Sequence, residues 1–170
     1  LHSRRVTLAD GTFADYDRLI IATGARVRTL SAIAPRAGLL ALRGLDDAIV
    51  LRRALMDAPR VAIVGAGFIG LEVAASCRAR GLPVTVIESL PVPLSPLLGP
   101  TFCGMVAAMH RDHGVDLRTG VAVTDVFGES RVAGVALSDG SRIDADVVVV
   151  GIGVTPNTEW LERSGLTLDN

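Results

Sequence analysis

The chain has 170 residues, 49% of them hydrophobic, with 17 basic against 18 acidic residues and a formal charge of −1. That composition suits one soluble core plus a fragment of a second, and the near-neutral balance offers no electrostatic grip on nucleic acid or an anionic membrane. Every basic residue is arginine, which excludes Schiff-base and Walker-type lysine chemistry, and no apolar run approaches the length of a membrane span.

In chain order, Arg5–Ala9 and Thr12–Ala14 flank Asp10-Gly11, the pattern of a β-hairpin. Tyr16-Asp-Arg-Leu-Ile-Ile-Ala-Thr-Gly24 predicts a buried strand, and residues 25–44 lack periodicity and read as a connecting segment. Asp46 or Asp47 caps a helix running to about Met56, with Ala48, Leu51, Leu55 and Met56 near one face. A loop carrying Pro91, Pro93, Pro96 and Gly99 leads into a helix from about Pro100 to His113, stopped by Gly114. Val115–Arg118 is a short strand. Val121–Phe127, Arg131–Leu137 and Ser141–Ile143 then alternate as a three-stranded antiparallel meander. Asp146–Gly151 is a continuous apolar strand of the kind buried on both faces of a parallel sheet. A short helix is expected near Thr158–Arg163. The fold expected is α/β: a Rossmann-like three-layer domain with a parallel sheet, in which the meander replaces one crossover helix.

The most informative stretch lies between Pro59 and Glu88. Val61-Ala-Ile-Val is an apolar strand that turns through Gly65-Ala-Gly67-Phe68-Ile69-Gly70 directly into a helix. A second apolar strand, Val84–Glu88, ends in a carboxylate 21 residues after Gly67. Strand, glycine turn, helix, strand and terminal acid, in that order, are the parts of a dinucleotide site. Gly65 permits a turn that a side chain would forbid, Gly67 leaves room for a pyrophosphate, and Gly70 lets the helix sit close. The first-turn amides, at the positive end of the helix dipole, face the phosphates. Glu88 accepts the ribose hydroxyls and repels a 2′-phosphate, so NAD(H) is favoured over NADP(H). The bland alternative is a glycine turn that binds nothing, with Glu88 a solvated strand end.

Cys77 and Cys103 form no C-x-x-C and belong to no His/Cys cluster; each reads as a small buried hydrophobe. His110 and His113, three apart on a helix, lack a third ligand nearby and read as a solvated helix end, so no metal is expected. The N-terminus has no signal-peptide layout, and a cytoplasmic location is expected.

These residues resemble the pyridine-nucleotide-binding part of the two-dinucleotide flavoprotein oxidoreductases, most nearly the NADH-dependent ferredoxin or rubredoxin reductases. The resemblance rests on the hairpin with Leu19-Ile-Ile-Ala22-Thr23-Gly24, on Gly65–Glu72, on His110-Arg-Asp-His-Gly-Val-Asp-Leu, and on Val150-Gly151-Ile152-Gly153-Val-Thr-Pro-Asn157. It implies that residues 1–24 are the edge of a split FAD-binding domain, 25–150 the NAD(H)-binding domain, and 151–170 a return segment toward the FAD domain. It implies that Thr23 and Gly24 touch FAD, that Gly151, Ile152 and Gly153 flank the nicotinamide, and that Glu72 orients that ring; a first-turn glutamate favoured by the helix dipole explains Glu72 equally well. It further implies hydride transfer from NADH to FAD and electron transfer to a ferredoxin-type iron–sulfur protein, with this stretch inactive alone. Val92 and Pro96 stand where relatives often carry arginines, which implies weaker anchoring of the adenine end. Related disulfide reductases, NADH oxidases and nitrite-reductase-like flavoproteins share the pattern, and a non-catalytic NAD(H)-sensing module would too.

Overall fold

A computed structural model describes residues 3–30, 33–94 and 98–168. They form two compact units, one of Leu1–Arg26 with Thr155–Asn170 and one of Val27–Val154. Pro96 lies outside the described residues.

In the first unit, β1 (Arg5–Thr7) and β2 (Phe13–Asp15) pair antiparallel as expected, with Arg5 opposite Asp15 and Val6 opposite Ala14. Asp10 closes the turn, accepting the Thr12 N–H at 2.9 Å and its hydroxyl at 2.7 Å. Tyr16–Gly24 is not the buried strand its composition predicts: Ile20 is 90% exposed and none of these residues is in a strand. An apolar run becomes a strand only where neighbouring strands take its backbone groups and other layers cover its faces. No described residue does this for Leu19-Ile-Ile. β3 (Ala25–Val27) and β12 (Val154–Pro156), neither expected, pair with each other where the chain passes between the units. The helix expected near Thr158–Arg163 is one 3₁₀ turn, Glu159–Leu161.

The second unit is built on a five-stranded sheet in the order β4-β11-β5-β6-β7, all parallel. Its strands are Leu39–Ala41 (β4), Val61–Val64 (β5), Val84–Glu88 (β6), Asp116–Thr119 (β7) and Val147–Val150 (β11). The segment read as a connector therefore contributes an edge strand, β4. Three residues are too few to show a period, and only the pairing of Leu39–Ala41 with Val148–Val150 makes them a strand. The antiparallel meander is β8 (Val123–Phe127), β9 (Gly134–Leu137) and β10 (Arg142–Asp144).

Alternation along the strands sorts the core into two layers. Val61, Ile63, Val84, Val86, Val147 and Val149 pack against helices α1 (Leu45–Ala54), α2 (Phe68–Ala79) and α3 (Pro100–Asp112). Ala62, Val64, Ile87, Val148 and Val150 pack against Val126, Val135 and Leu137 of the meander. All four residues of β5 and of β11 are buried, which is why both read as unbroken apolar runs.

Helix ends follow local chemistry. Asp47 caps α1 from inside its first turn, its Oδ2 accepting the N–H groups of Arg43 and Gly44 at 2.9 Å, with Gly44 at the cap position expected for an acid. Leu51 and Leu55 are buried, but Ala48 and Met56 are exposed, so the apolar face is narrower than predicted. α2 and α3 both end in glycine, Gly81 at φ +75° and Gly114 at φ +79°. At each end, amides reach back to the last turn: Leu82 N–H to Cys77 O at 3.1 Å, and Val115 N–H to His110 O at 3.0 Å. Cys77 and Cys103 are fully buried, as expected.

His110 is not a solvated helix end: it is 7% exposed on the inner face of α3. Burial, and secondarily the charge of His113, holds its pKa below the ordinary 6.5. The folded state thus resists protonation that the unfolded chain accepts, so the native state loses stability as pH falls through and below about 6.5. A His110→Leu variant should show a flatter decline in Tm between about pH 8 and pH 5 than the parent, measured by thermal unfolding. Parallel pH profiles would rule this out.

Candidate nucleotide site

A crevice of about 410 Å³ opens at the carboxyl ends of the parallel strands. From β5 the chain winds outward to β6 and β7, then returns through the meander to β11 on the other side of β5. Such a switch point leaves a gap between oppositely directed connections, the place where open α/β sheets bind ligands. Gly65 and Gly67 from the β5 exit, Glu88 from the β6 tip, and Gly151, Ile152 and Gly153 from the β11 exit all line it.

The three glycines of the turn are glycine for different reasons. Gly65 has φ +102°, and a Cβ there would stand 2.5 Å from the Gly151 carbonyl oxygen. At Gly70 a Cβ would meet the Gly65 carbonyl oxygen at 2.0 Å. The close approach predicted for Gly70 is therefore made chiefly to the turn itself, with Ile63 of the sheet behind it at 3.4 Å. Gly67 differs: its φ is −78°, and the nearest atom to a built Cβ is the Gly151 oxygen at 3.9 Å, an ordinary contact. The protein itself has no need of a glycine at position 67. A bare main chain facing an open crevice fits a ligand that approaches the backbone closely, and the residues present thus suit a pyrophosphate.

Gly67 is also the cap residue of α2, so the amides of Phe68, Ile69 and Gly70 open the helix without acceptors inside it. Their side chains do not line the crevice: Phe68 is exposed, Ile69 packs on the helical core layer and Gly70 has none. Their contribution is main-chain N–H and the helix dipole.

Glu88 is half-buried and already engaged. Its Oε2 accepts the Ala66 N–H at 2.7 Å, and its Oε1 accepts the Leu90 N–H at 2.9 Å and the Ser89 hydroxyl at 3.2 Å. The Gly65 N–H reaches the Ile87 carbonyl at 2.8 Å and the Gly151 N–H reaches the Val64 carbonyl at 2.8 Å, so the three strand exits are tied together by main chain. Beyond Glu88 the walls are apolar: Leu90, Leu94, Val121 and Val123, with Leu30 opposite. None of these carries a sequence signal, since they come from three loops and from the rim of the meander.

Glu72 lies in the second turn of α2, later than the first-turn position expected, and is exposed. It lines a separate groove between α1 and α2, beside Arg52 and Arg80, and is not among the residues lining the crevice. Thr23 and Gly24 belong to the other unit, where their polar atoms meet Asn157: Thr23 Oγ1 donates to its carbonyl at 2.8 Å, and its N–H donates to Gly24 O at 2.9 Å. His113 engages the Met109 carbonyl through Nδ1 at 2.8 Å. Among the described residues, no group of three or more His, Cys, Asp or Glu is arranged to hold a metal, and no helix is long and apolar enough to cross a membrane.

Residues 2–170 match the family described as pyridine nucleotide-disulphide oxidoreductase. The chain is 42% identical over 170 residues to rhodocoxin reductase of Rhodococcus erythropolis, covering 99% of this chain and 40% of that protein. It is 38% identical over 174 residues to putidaredoxin reductase of Pseudomonas putida, covering 98% and 41%. Among solved structures it resembles the ferredoxin reductase for the CYP199A2 system from Rhodopseudomonas palustris, with TM-score 0.87 and 41% identity over 99% of this chain and 42% of that one. The chain thus spans about two fifths of the length of these relatives.

The glycine geometry separates two substitutions. Gly70→Ala forces a backbone overlap and should lower stability by about 3 kcal/mol. Gly67→Ala, which puts a poorer residue at the helix cap, should cost no more than about 1 kcal/mol yet weaken dinucleotide binding at least about tenfold. Chemical denaturation and titration calorimetry on both variants check this; a Gly67→Ala destabilised as much as Gly70→Ala, or one that binds as the parent does, contradicts the assignment.

Proposed function

The chain belongs to the pyridine nucleotide-disulphide oxidoreductase family, and on that premise we propose that it is the NADH-binding part of an FAD-dependent oxidoreductase of the ferredoxin-reductase kind. One observation carries the reading: an open glycine turn at the head of α2 shares a crevice at the sheet's switch point with a carboxylate at the neighbouring strand tip. The main chain at Gly67 and the amides of Phe68, Ile69 and Gly70 would hold the pyrophosphate. Glu88 would hold the adenine-side ribose, and the apolar Leu90 and Val121 would cover the base. Gly151, Ile152 and Gly153 flank the nicotinamide end. NADH supplies a hydride when bound, and the residues of this chain bind and orient it and keep water away.

The related proteins support the rest. One relative, from Pseudomonas putida, is named as a ferredoxin–NAD(+) reductase component and is 43% identical. A solved neighbour at 30% identity is titled an FAD-dependent pyridine nucleotide-disulphide oxidoreductase, and another is a reductase covalently joined to putidaredoxin. On these grounds the intact protein would hold FAD as the hydride acceptor and would pass electrons to a ferredoxin-type iron–sulfur protein. The flavin site needs residues beyond this sequence, with Thr23 and Gly24 at its edge, so the stretch described should bind NADH without turning over. The bare run Leu19-Ile-Ile fits a strand completed by the FAD-binding domain. Both cysteines are fully buried, which lends the disulfide-reductase alternative nothing. The proposed setting is cytoplasmic.

Calorimetric titration of the chain with NADH and with NADPH tests this reading. NADH should bind at least about tenfold more tightly, and Glu88→Ala should narrow that gap by removing the charge that repels a 2′-phosphate. Equal or tighter binding of NADPH by the parent chain would defeat it.

A further inference from the structure

We propose that Glu88 is, before any nucleotide arrives, the clasp that holds the glycine turn in its binding shape. The inference rests on the NADH reading but goes beyond it, because it concerns the empty site. The two carboxylate oxygens are divided between two walls of the crevice. Oε2 takes the Ala66 N–H at 2.7 Å, the amide between the two glycines of the turn. Oε1 takes the Leu90 N–H at 2.9 Å and the Ser89 hydroxyl at 3.2 Å, both in the loop leaving β6. The backbone of the same residue engages a third wall, its carbonyl accepting the Val121 N–H at 3.2 Å.

The chemistry of the turn explains the need for such a clasp. Gly65-Ala-Gly67 carries no side chain larger than a methyl, and glycine is the residue with the most backbone freedom to lose. Ala66 is fully buried, so its N–H has no recourse to water, and a buried amide without an acceptor is costly. An ionised acceptor makes a hydrogen bond roughly twice as strong as a neutral one. Glu88 thus does for the turn what a side chain within it cannot.

The same arrangement limits how sugar can bind. A carboxylate offers about four lone-pair sites, and the chain's own donors occupy three of them. One position on Oε2 remains for a ribose hydroxyl. The second hydroxyl must displace the longest of the three contacts, that of Ser89. Glu88 is therefore a positioning residue for the phosphate cradle as well as a contact for the sugar, and the two roles use different oxygen sites.

Amide hydrogen exchange on the nucleotide-free chain, read residue by residue by NMR, tests the clasp independently of whether NADH binds. In Glu88→Ala the Ala66 amide should exchange at least about tenfold faster than in the parent, while the amides of Ile63 and Val86 in the adjoining strands keep their protection. Glu88→Gln, whose carbonyl oxygen can still accept from Ala66, should retain most of that protection and should also lose less NADH affinity than Glu88→Ala. If Glu88→Ala is too unstable to study, Glu88→Gln still decides, since its Ala66 amide must exchange within a few-fold of the parent. Unchanged Ala66 exchange in Glu88→Ala overturns the proposal. So does exchange that rises equally at Ala66, Ile63 and Val86, or loss of Ala66 protection in an otherwise protected Glu88→Gln. A chain that keeps this exchange pattern but prefers NADPH would defeat the NADH reading and leave the clasp standing.

Discussion

Three stretches of bare main chain meet at one point, and the second unit is organised around that meeting. Gly70 at the head of α2 lies against the Gly65 carbonyl, and Gly65 in turn lies against the Gly151 carbonyl. A single added Cβ at Gly65 or Gly70 would stand 2.5 Å or 2.0 Å from a backbone oxygen that cannot move aside. The start of a helix and the exits of two adjacent strands are thereby held closer than side chains allow. Amides that a helix leaves unpaired at its start are presented at the mouth of the sheet's switch point rather than covered by packing.

This close approach depends on a rigid platform behind it. β5 and β11 are buried along their whole length and pair in register from Val61 opposite Val147 to Val64 opposite Val150. Helices cover one face of the sheet and the meander covers the other, so neither strand can shift without disturbing both layers. The carboxylate of Glu88 completes the arrangement from a third strand, its charge directed at the Ala66 amide of the glycine turn. The electrostatics of the site are thus local: a few oriented N–H groups and one carboxylate, in a molecule whose overall charge is close to zero.

Relatives of this chain are named rhodocoxin, putidaredoxin and ferredoxin reductases, and they are about two and a half times its length. In the first unit, one stretch runs against its composition. Leu19, Ile20 and Ile21 have the side chains of a buried strand, yet Ile20 is almost wholly exposed. Strand-forming residues do not make a strand without partners for their backbone groups, and the described residues supply none.

The parts of this protein legible in its sequence were those encoded within a short span: the glycine turn between an apolar strand and a helix, the acid closing the next strand, the proline and glycine that bracket α3, and the alternating meander. Each depends on local backbone conformation or on a period of two, which a reader of residues can see. What only the tertiary structure decided depends on contacts between distant segments. β4 exists because β11 offers it an edge, and His110 is buried because the inner face of α3 meets the core. Glu72 faces α1 rather than the crevice, because its place one turn into α2 swings it to another side of the helix. Glu88 shows both kinds of information at once. Its spacing from Gly67 raises the expectation of a sugar ligand, but its hold on Ala66 follows from parallel strands lying side by side, a relation that separation along the chain does not express.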